Sequence, residues 1–176
     1  LVTERPDDLD AAAFHAEALM DLQPWNYYDE QLQPKGNTSE IVSILESVMA
    51  RNPDHAGALH LYVHAVEASA DPQRGAAAAD RLRELIPGSG HLVHMPAHIY
   101  ARVGRWHDAV IANQKAIEAD DAYLAMCRGN VQGDEAHEDP GGAVVHRTEE
   151  FLQRVVLPAP ARQRRAEVLD RIAGED

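Results

Sequence analysis

The chain has 176 residues, enough for one domain of ordinary size. Hydrophobic residues make up 45% of it and aromatic residues only 5%, a balance that favours closely packed helices over a β-sandwich. The net charge of −13 argues against binding to nucleic acid, whose phosphates require Lys and Arg, and against an anionic membrane surface. It is compatible with binding cations.

Cysteine content and apolar patterning help to predict the cellular compartment of the protein. Cys127 is the only cysteine, so an intrachain disulfide is impossible. No apolar run approaches the roughly 18 residues of a membrane span, and no signal-peptide pattern is present. These features predict a cytoplasmic protein. The chain starts at Leu1 rather than Met, which suggests a trimmed fragment and leaves a removed leader open.

Apolar residues that recur every three or four positions predict a helix over 8–22 and a second over about 39–51. Thr38 is placed to cap the second helix. The stretch 23–37 between them carries two Pro, one Gly and a Trp-Asn-Tyr-Tyr cluster. Such a long loop is often functional, and this one is suited to act as a lid.

A regular period governs the next part of the chain. The segment ARNPD contains Pro53, ELIPG contains Pro87, and the same interval counted on from Pro87 reaches Asp121 in the segment AIEADD. A period of about 34 residues is the signature of tetratricopeptide (TPR) repeats, each a helix–turn–helix unit. The predicted helix pairs are 56–69 with 72–86, and 91–103 with a helix that runs to about 119. The predicted fold is therefore all-α, a TPR-like solenoid.

The domain prediction follows from where the period holds. A repeat domain is expected over 1–133, with units of about 8–53, 54–87 and 88–121. The segment AYLAMC after Asp121 is suited to open another helix, and 129–142 is expected to be loop or disorder. The remaining 134–176 is predicted to be a divergent linker and helical tail, less ordered than the repeats, that caps the solenoid or docks a partner.

Two histidine pairs obey the same period. His60 and His64 are four positions apart, and His94 and His98 repeat that spacing one period later. Residues four apart share a helix face, about 5–6 Å between Cβ atoms, and neighbouring helices pack about 8–10 Å apart. Four imidazoles can then converge on one ion through bonds of about 2.0–2.1 Å. The pattern predicts a metal site on the first helix of each unit, which lines the groove of such a solenoid.

Further side chains are predicted near that site. His91 lies one turn before His94 and is a fifth candidate ligand. Glu67 lies three positions after His64, where its carboxylate is a candidate ligand or base. The residues expected to form the groove wall around the ligands are Glu67, Glu17, Asp21 and Tyr62, of which the tyrosine has the character of a core residue.

Pro96 complicates the second histidine pair, because it lies between His94 and His98. A proline cannot donate a hydrogen bond to the carbonyl four positions earlier, so a kink or a late helix start is expected there. Such a break would re-aim His94. The simpler interpretation of the histidines also stays open: they line the groove without a ligand, or are partly buried and bonded to backbone carbonyls.

Three segments resemble a bacterial family of TPR-repeat proteins with a GHLVHMPxHIY signature: AEALMDLQPWNYY, NPDHAGALHLYVHAVEAS and PGSGHLVHMPAHIYARVGR. The resemblance covers about residues 10–133 and implies a helical TPR-like solenoid with a histidine-bearing groove, but no settled activity. The positions it supports are His60, His64, Glu67, His91, His94 and His98, and more weakly Glu17 and Asp21. Similar proteins continue into another histidine-bearing helical region, which DEAHEDPGGAVVHR replaces here.

Two functions fit these features. The first is a groove that binds a divalent transition metal, with Zn, Cu, Fe or Ni suited to imidazole ligands, and with metal-dependent catalysis open to it. The second is a protein-interaction scaffold that binds a peptide or partner helix, with the histidines as contact or pH-sensitive residues. The chain has no phosphate loop, Ser-His-Asp motif or dinucleotide fingerprint that would identify a substrate.

Overall fold

The computed structural model describes residues 7–130. This part of the chain is all-α, as predicted: it contains no strand, only an isolated bridge between Tyr28 and Pro34 in the loop that follows the first helix. Its elements in chain order are α1 (Leu9–Asp21), α2 (Thr38–Arg51), α3 (Ala56–Val66), a 3-10 turn (Pro72–Gly75), α4 (Ala76–Leu85), α5 (Gly90–His94), α6 (Pro96–Arg102) and α7 (Trp106–Asn130). None of these helices is both long and apolar enough to cross a membrane.

Each of the first two helices begins at a polar anchor. Asp8 caps α1, because its carboxylate accepts a hydrogen bond from the Ala11 amide at 3.0 Å. The prediction that Thr38 caps α2 is wrong. Thr38 is the first residue inside α2, and its buried hydroxyl donates to the Tyr27 carbonyl at 2.8 Å. The side chain therefore ties the preceding loop to the helix instead of satisfying the helix end.

The period seen in the sequence recurs in the positions at which elements begin. The second helix of each successive pair starts at Thr38, at Pro72 (through the 3-10 turn) and at Trp106, and these starts are evenly spaced. The first helices α3 and α5 start at Ala56 and Gly90, separated by the same interval. Each helix packs against its neighbour in the chain, and the first helices also touch one another, α1 against α3 and α3 against α6. The helix α3 is thus surrounded by packed elements.

Two polar trios of the same composition join successive helix pairs. In each, a tyrosine hydroxyl donates to a carboxylate on the preceding second helix, at 2.8 Å and 2.7 Å, and an arginine binds the same carboxylate, at 2.7 Å and 2.9 Å. The trios are Tyr62–Glu46–Arg74 and Tyr100–Asp80–Arg105. The phenol of Tyr62 is buried and bonded to Glu46 and Arg74, which confirms its core character. Its place in the groove wall stays a prediction.

The helix predicted over 91–103 is broken into α5 and α6 at Met95. Pro96 is the first residue of α6 and has no amide hydrogen to continue the hydrogen bonding of α5. The His98 amide instead donates to the Met95 carbonyl at 3.1 Å, three positions back. The break expected from Pro96 is therefore confirmed.

The end of the described chain differs from the prediction. We expected a helix to about residue 119 and a new one in the segment AYLAMC, but α7 runs unbroken from Trp106 to Asn130. No proline interrupts it and its only glycine is Gly129, so nothing in the chain stops the helix at 119. The predicted boundary at residue 133 and the tail 134–176 lie outside the described residues.

Gly75 provides a test of how closely the elements approach. A Cβ at this buried position would lie 2.7 Å from Ile99 Cδ1 and 2.9 Å from Val66 Cγ2, both in fully buried side chains. We expect Gly75→Ala to lower the free energy of unfolding by about 1–3 kcal/mol, because neither neighbour has room to move. Urea unfolding followed by circular dichroism measures this change.

Gly88→Ala is the matched control for that measurement. A Cβ at Gly88 would have no neighbour within 4 Å, so we expect its stability to be unchanged or slightly raised. Equal stabilities for the two variants would contradict the close approach of the 3-10 turn to α3 and α6.

Candidate metal centre

Five histidines from three helices form one continuous row. In order along the row they are His91, His60, His64, His98 and His94, and we refer to them together as the histidine row. Successive ring centroids are 4.9, 5.0, 5.4 and 4.9 Å apart. The predicted ligands thus lie side by side, although they come from α3, α5 and α6.

The ring nitrogens form close pairs at both ends of the row. His91 Nε2 lies 3.0 Å from His60 Nε2, and His94 Nε2 lies 3.0 Å from His98 Nε2. Two sets of three described residues bring one ligand atom from each member within 4.8 Å of the others. The two sets are His60, His64 and His91, and His64, Glu67 and His98. The five rings are therefore arranged in a line, and the four predicted ligands do not all converge on one point.

Glu67 lies beneath the middle of the row. It follows the last residue of α3, is 7% exposed, and accepts hydrogen bonds from two ring nitrogens. His64 Nδ1 is 3.2 Å from Oε1, and His98 Nδ1 is 2.6 Å from Oε2. Burial alone would raise the pKa of Glu67, but the hydrogen bonds from His64 and His98 outweigh it and lower the pKa to about 2. The buried side chain is therefore an ionised carboxylate.

Asn113 on α7 binds His94 at one end of the row, and sequence reasoning missed it. Its side-chain Nδ2 donates to the Ala109 carbonyl at 2.8 Å, which directs Oδ1 towards His94 Nδ1 at 2.6 Å. A signal was present: Asn113 is one buried polar residue on a helix face whose other buried positions are Ala109, Ala112 and Ala116. A buried amide in such a stripe requires a polar partner.

These hydrogen bonds fix which nitrogens carry protons. A carboxylate and an amide oxygen can only accept, so Nδ1 is the protonated nitrogen in neutral His64, His94 and His98. Their Nε2 atoms then carry lone pairs. At 3.0 Å the lone pairs of His94 and His98 face each other, a contact that is favourable only with a proton or a metal ion between the two nitrogens.

Burial keeps several of these rings neutral. Burial lowers the pKa of His60 to about 4, and the neighbouring imidazoles of His64, His91 and His98 act in the same direction. Burial and then His98 likewise lower the pKa of His94 to about 4. Neutral imidazole is the form that binds metals, and His60 and His94 are in that form at neutral pH.

Trp25 approaches the row from the loop after α1. Its indole packs edge-on against the His64 ring, with centroids 5.3 Å apart, while the side chain stays 72% exposed. The backbone of Trp25 has φ 60°, an uncommon conformation for a bulky residue. The same loop is attached to α3 by Tyr28, whose hydroxyl donates to the Ala65 carbonyl at 2.8 Å. The loop predicted to act as a lid thus lies next to the row, and its role as a lid stays a prediction.

Glu17 and Asp21 are not brought to the row. Both are exposed on α1, whose packed face consists of Ala13, Ala16 and Met20, and neither belongs to the two sets of candidate ligands. Their four-residue spacing correctly places them on one exposed face of α1. Burial raises the pKa of Tyr27, and the carboxylates of Asp21 and Glu67 act in the same direction. The expectation that Glu17 and Asp21 line the groove wall stays a prediction.

Comparison with known proteins adds no family to this description. A scan against models of protein families, a search of curated proteins and a search of solved structures each found no match. Function is therefore inferred from the side chains of the row.

The depressed pKa values of His60 and His94 predict an acid-sensitive fold. In the unfolded chain these groups take up protons near pH 6.5, but in the folded chain only near pH 4. Between those values the unfolded state binds more protons, so stability falls as pH falls and the loss is complete below about pH 4. We expect the thermal midpoint of chelator-treated protein to drop by several degrees between pH 7 and pH 4.5.

His94→Gln should reduce this pH dependence, because glutamine does not titrate in that range. The control is His107→Gln, at an exposed histidine on α7, which should retain the full dependence. An identical pH profile for all three proteins would show that His94 does not contribute.

Proposed function

We propose that this chain binds a divalent transition metal through the histidine row. The observation that carries the proposal is the pair of Nε2 lone pairs of His94 and His98, which face each other at 3.0 Å while Asn113 and Glu67 hold both Nδ1 atoms. A ligating histidine characteristically donates its other N–H to a carboxylate or carbonyl oxygen, which fixes the ring and its tautomer. A cation between the two nitrogens would also relieve their repulsion.

The chemistry of the donors narrows the choice of metal. The atoms turned into the row are imidazole nitrogens, which suit Zn, Cu, Fe or Ni, whereas Mg and Ca prefer oxygen ligands. The nearest carboxylate, Glu67, is occupied by two ring N–H groups, so it is better suited to orienting ligands than to binding the ion. The net charge of −13 favours any cation over an anion.

We further propose that the row lies in the groove of a TPR-type solenoid. Three observations support this architecture: the periodic recurrence of element starts, the repeated tyrosine–carboxylate–arginine trios, and the contacts of α1 with α3 and of α3 with α6. In a solenoid of this kind the first helices of successive units line the concave surface, and α3, α5 and α6 carry the row.

Exposure along the row suggests how an ion and a small ligand would enter. His91 is exposed, His60 and His64 are half-buried, and His98 is 7% exposed. An ion bound there would act as a Lewis acid or activate water. In such a reaction Glu67 and Asn113 would hold the imidazoles in place, and Trp25 would shield His64 from solvent.

The scaffold function, binding of a peptide or partner helix in the groove, stays a prediction and requires no metal. Metal content therefore separates the two functions. Protein purified without a polyhistidine tag, treated with chelator and then titrated with Zn²⁺ by calorimetry is expected to bind the ion. Absence of binding would favour the scaffold.

The double variant His60→Gln/His94→Gln tests whether the row is the binding site. We expect it to lower Zn²⁺ affinity by at least about 100-fold, since it removes imidazole donors from both nitrogen pairs. Glutamine is preferable to alanine because it fills similar space, and His98 is left intact because it pairs with the buried Glu67. Calorimetry gives the affinity and circular dichroism checks the helices.

The control for this variant is His15→Gln/His107→Gln, which changes the same number of histidines on α1 and α7, away from the row. It should bind Zn²⁺ like the unmodified chain. Equal weakening in both double variants would mean that the ion binds histidines nonspecifically.

A further inference from the structure

We infer that the histidine row holds two cations, one at each end, rather than one ion at its centre. This inference rests on the proposed metal binding and adds a stoichiometry and a location to it. One end is the pair His60 and His91, with His64 as a third donor within 4.8 Å. The other end is the pair His94 and His98.

Distances within and between the pairs support this division. Two nitrogens bound to one tetrahedral ion through bonds of about 2.0–2.1 Å lie about 3.3 Å apart. Each end pair, at 3.0 Å, is close to that separation before any rearrangement. Among the described residues, no set of three candidate ligands within 4.8 Å combines His60 or His91 with His94 or His98. The second set, His64, Glu67 and His98, lies between the ends, but its carboxylate oxygens already accept from the two Nδ1 atoms. A single ion would therefore leave one pair unused.

The two ends are built differently, which makes them distinguishable. At one end, called the buried end, His98 is 7% exposed and His94 half-buried, and their Nδ1 atoms are held by Glu67 and Asn113 respectively. At the other end, called the exposed end, His60 is half-buried and His91 exposed. Preorganised rings give up less conformational freedom on binding, so the buried end is expected to bind the first ion and the exposed end the second.

Glu67 links the ends through its two oxygens. Oε2 accepts from His98 at the buried end, and Oε1 accepts from His64, the third donor of the exposed end. Asn113 forms a hydrogen bond with His94, at one end of the row. Loss of the Glu67 charge should therefore weaken both ions, whereas loss of the Asn113 acceptor should weaken one.

Equilibrium dialysis against Zn²⁺, with the metal counted by mass spectrometry, tests the inference on the full chain. The unmodified chain should take up two ions. His91→Gln and His94→Gln should each retain one, and the double variant His91→Gln/His94→Gln should retain none. His107→Gln is the control and should retain two.

A single ion that either His91→Gln or His94→Gln abolishes would mean one shared site, which overturns this inference and leaves the proposed function intact. No uptake by the unmodified chain would overturn both.

If His94→Gln does not fold, Asn113→Leu replaces it, because it keeps every imidazole and removes only the acceptor at His94. That variant should weaken one of the two ions by about 10–100-fold and leave the other unchanged, whereas equal weakening of both would overturn the division into two ends.

Discussion

Within residues 7–127, Glu67 is the one buried carboxylate, and the packing around the histidine row depends on it. Glu67 has almost no access to water, so its charge is tolerable only because two ring N–H groups reach it from α3 and α6. The residue therefore stabilises the packing of the two helices and also determines that Nδ1 is the nitrogen that carries the proton in the neutral rings of His64 and His98. Packing and the proposed metal binding are coupled through this one group, and neither can be altered at Glu67 without the other.

The other residues of α3 explain why its histidines are not required for packing. Its buried residues are Ala58, Leu59, Leu61, Tyr62, Val63, Ala65 and Val66. Polar ties between helix pairs also come from the two tyrosine–carboxylate–arginine trios. Because apolar packing and the trios hold the helices together, the imidazoles of His60 and His64 are left to line the row.

The histidines could be predicted from the sequence because helical geometry converts spacing directly into a shared face. Four-residue steps on α3 and one repeat period between helix pairs were sufficient to assemble the row. Spacing alone does not determine which face of each helix is turned towards the row. Glu17 and Asp21 have the same spacing but are exposed on α1, and the pairing of His91 with His60 joins residues 31 positions apart on α5 and α3. Asn113 was missed because its partner is nineteen positions away on another helix.

The five-residue helix α5 has an unusual position in this arrangement. It is bounded by Gly90 and by the break before Pro96, and it supplies one histidine to each nitrogen pair, His91 to one and His94 to the other. This short helix packs against α4 and α7 and contacts α6, so its neighbours set its position. Because one element supplies a nitrogen to each pair, both N–N distances depend on the same packing interfaces.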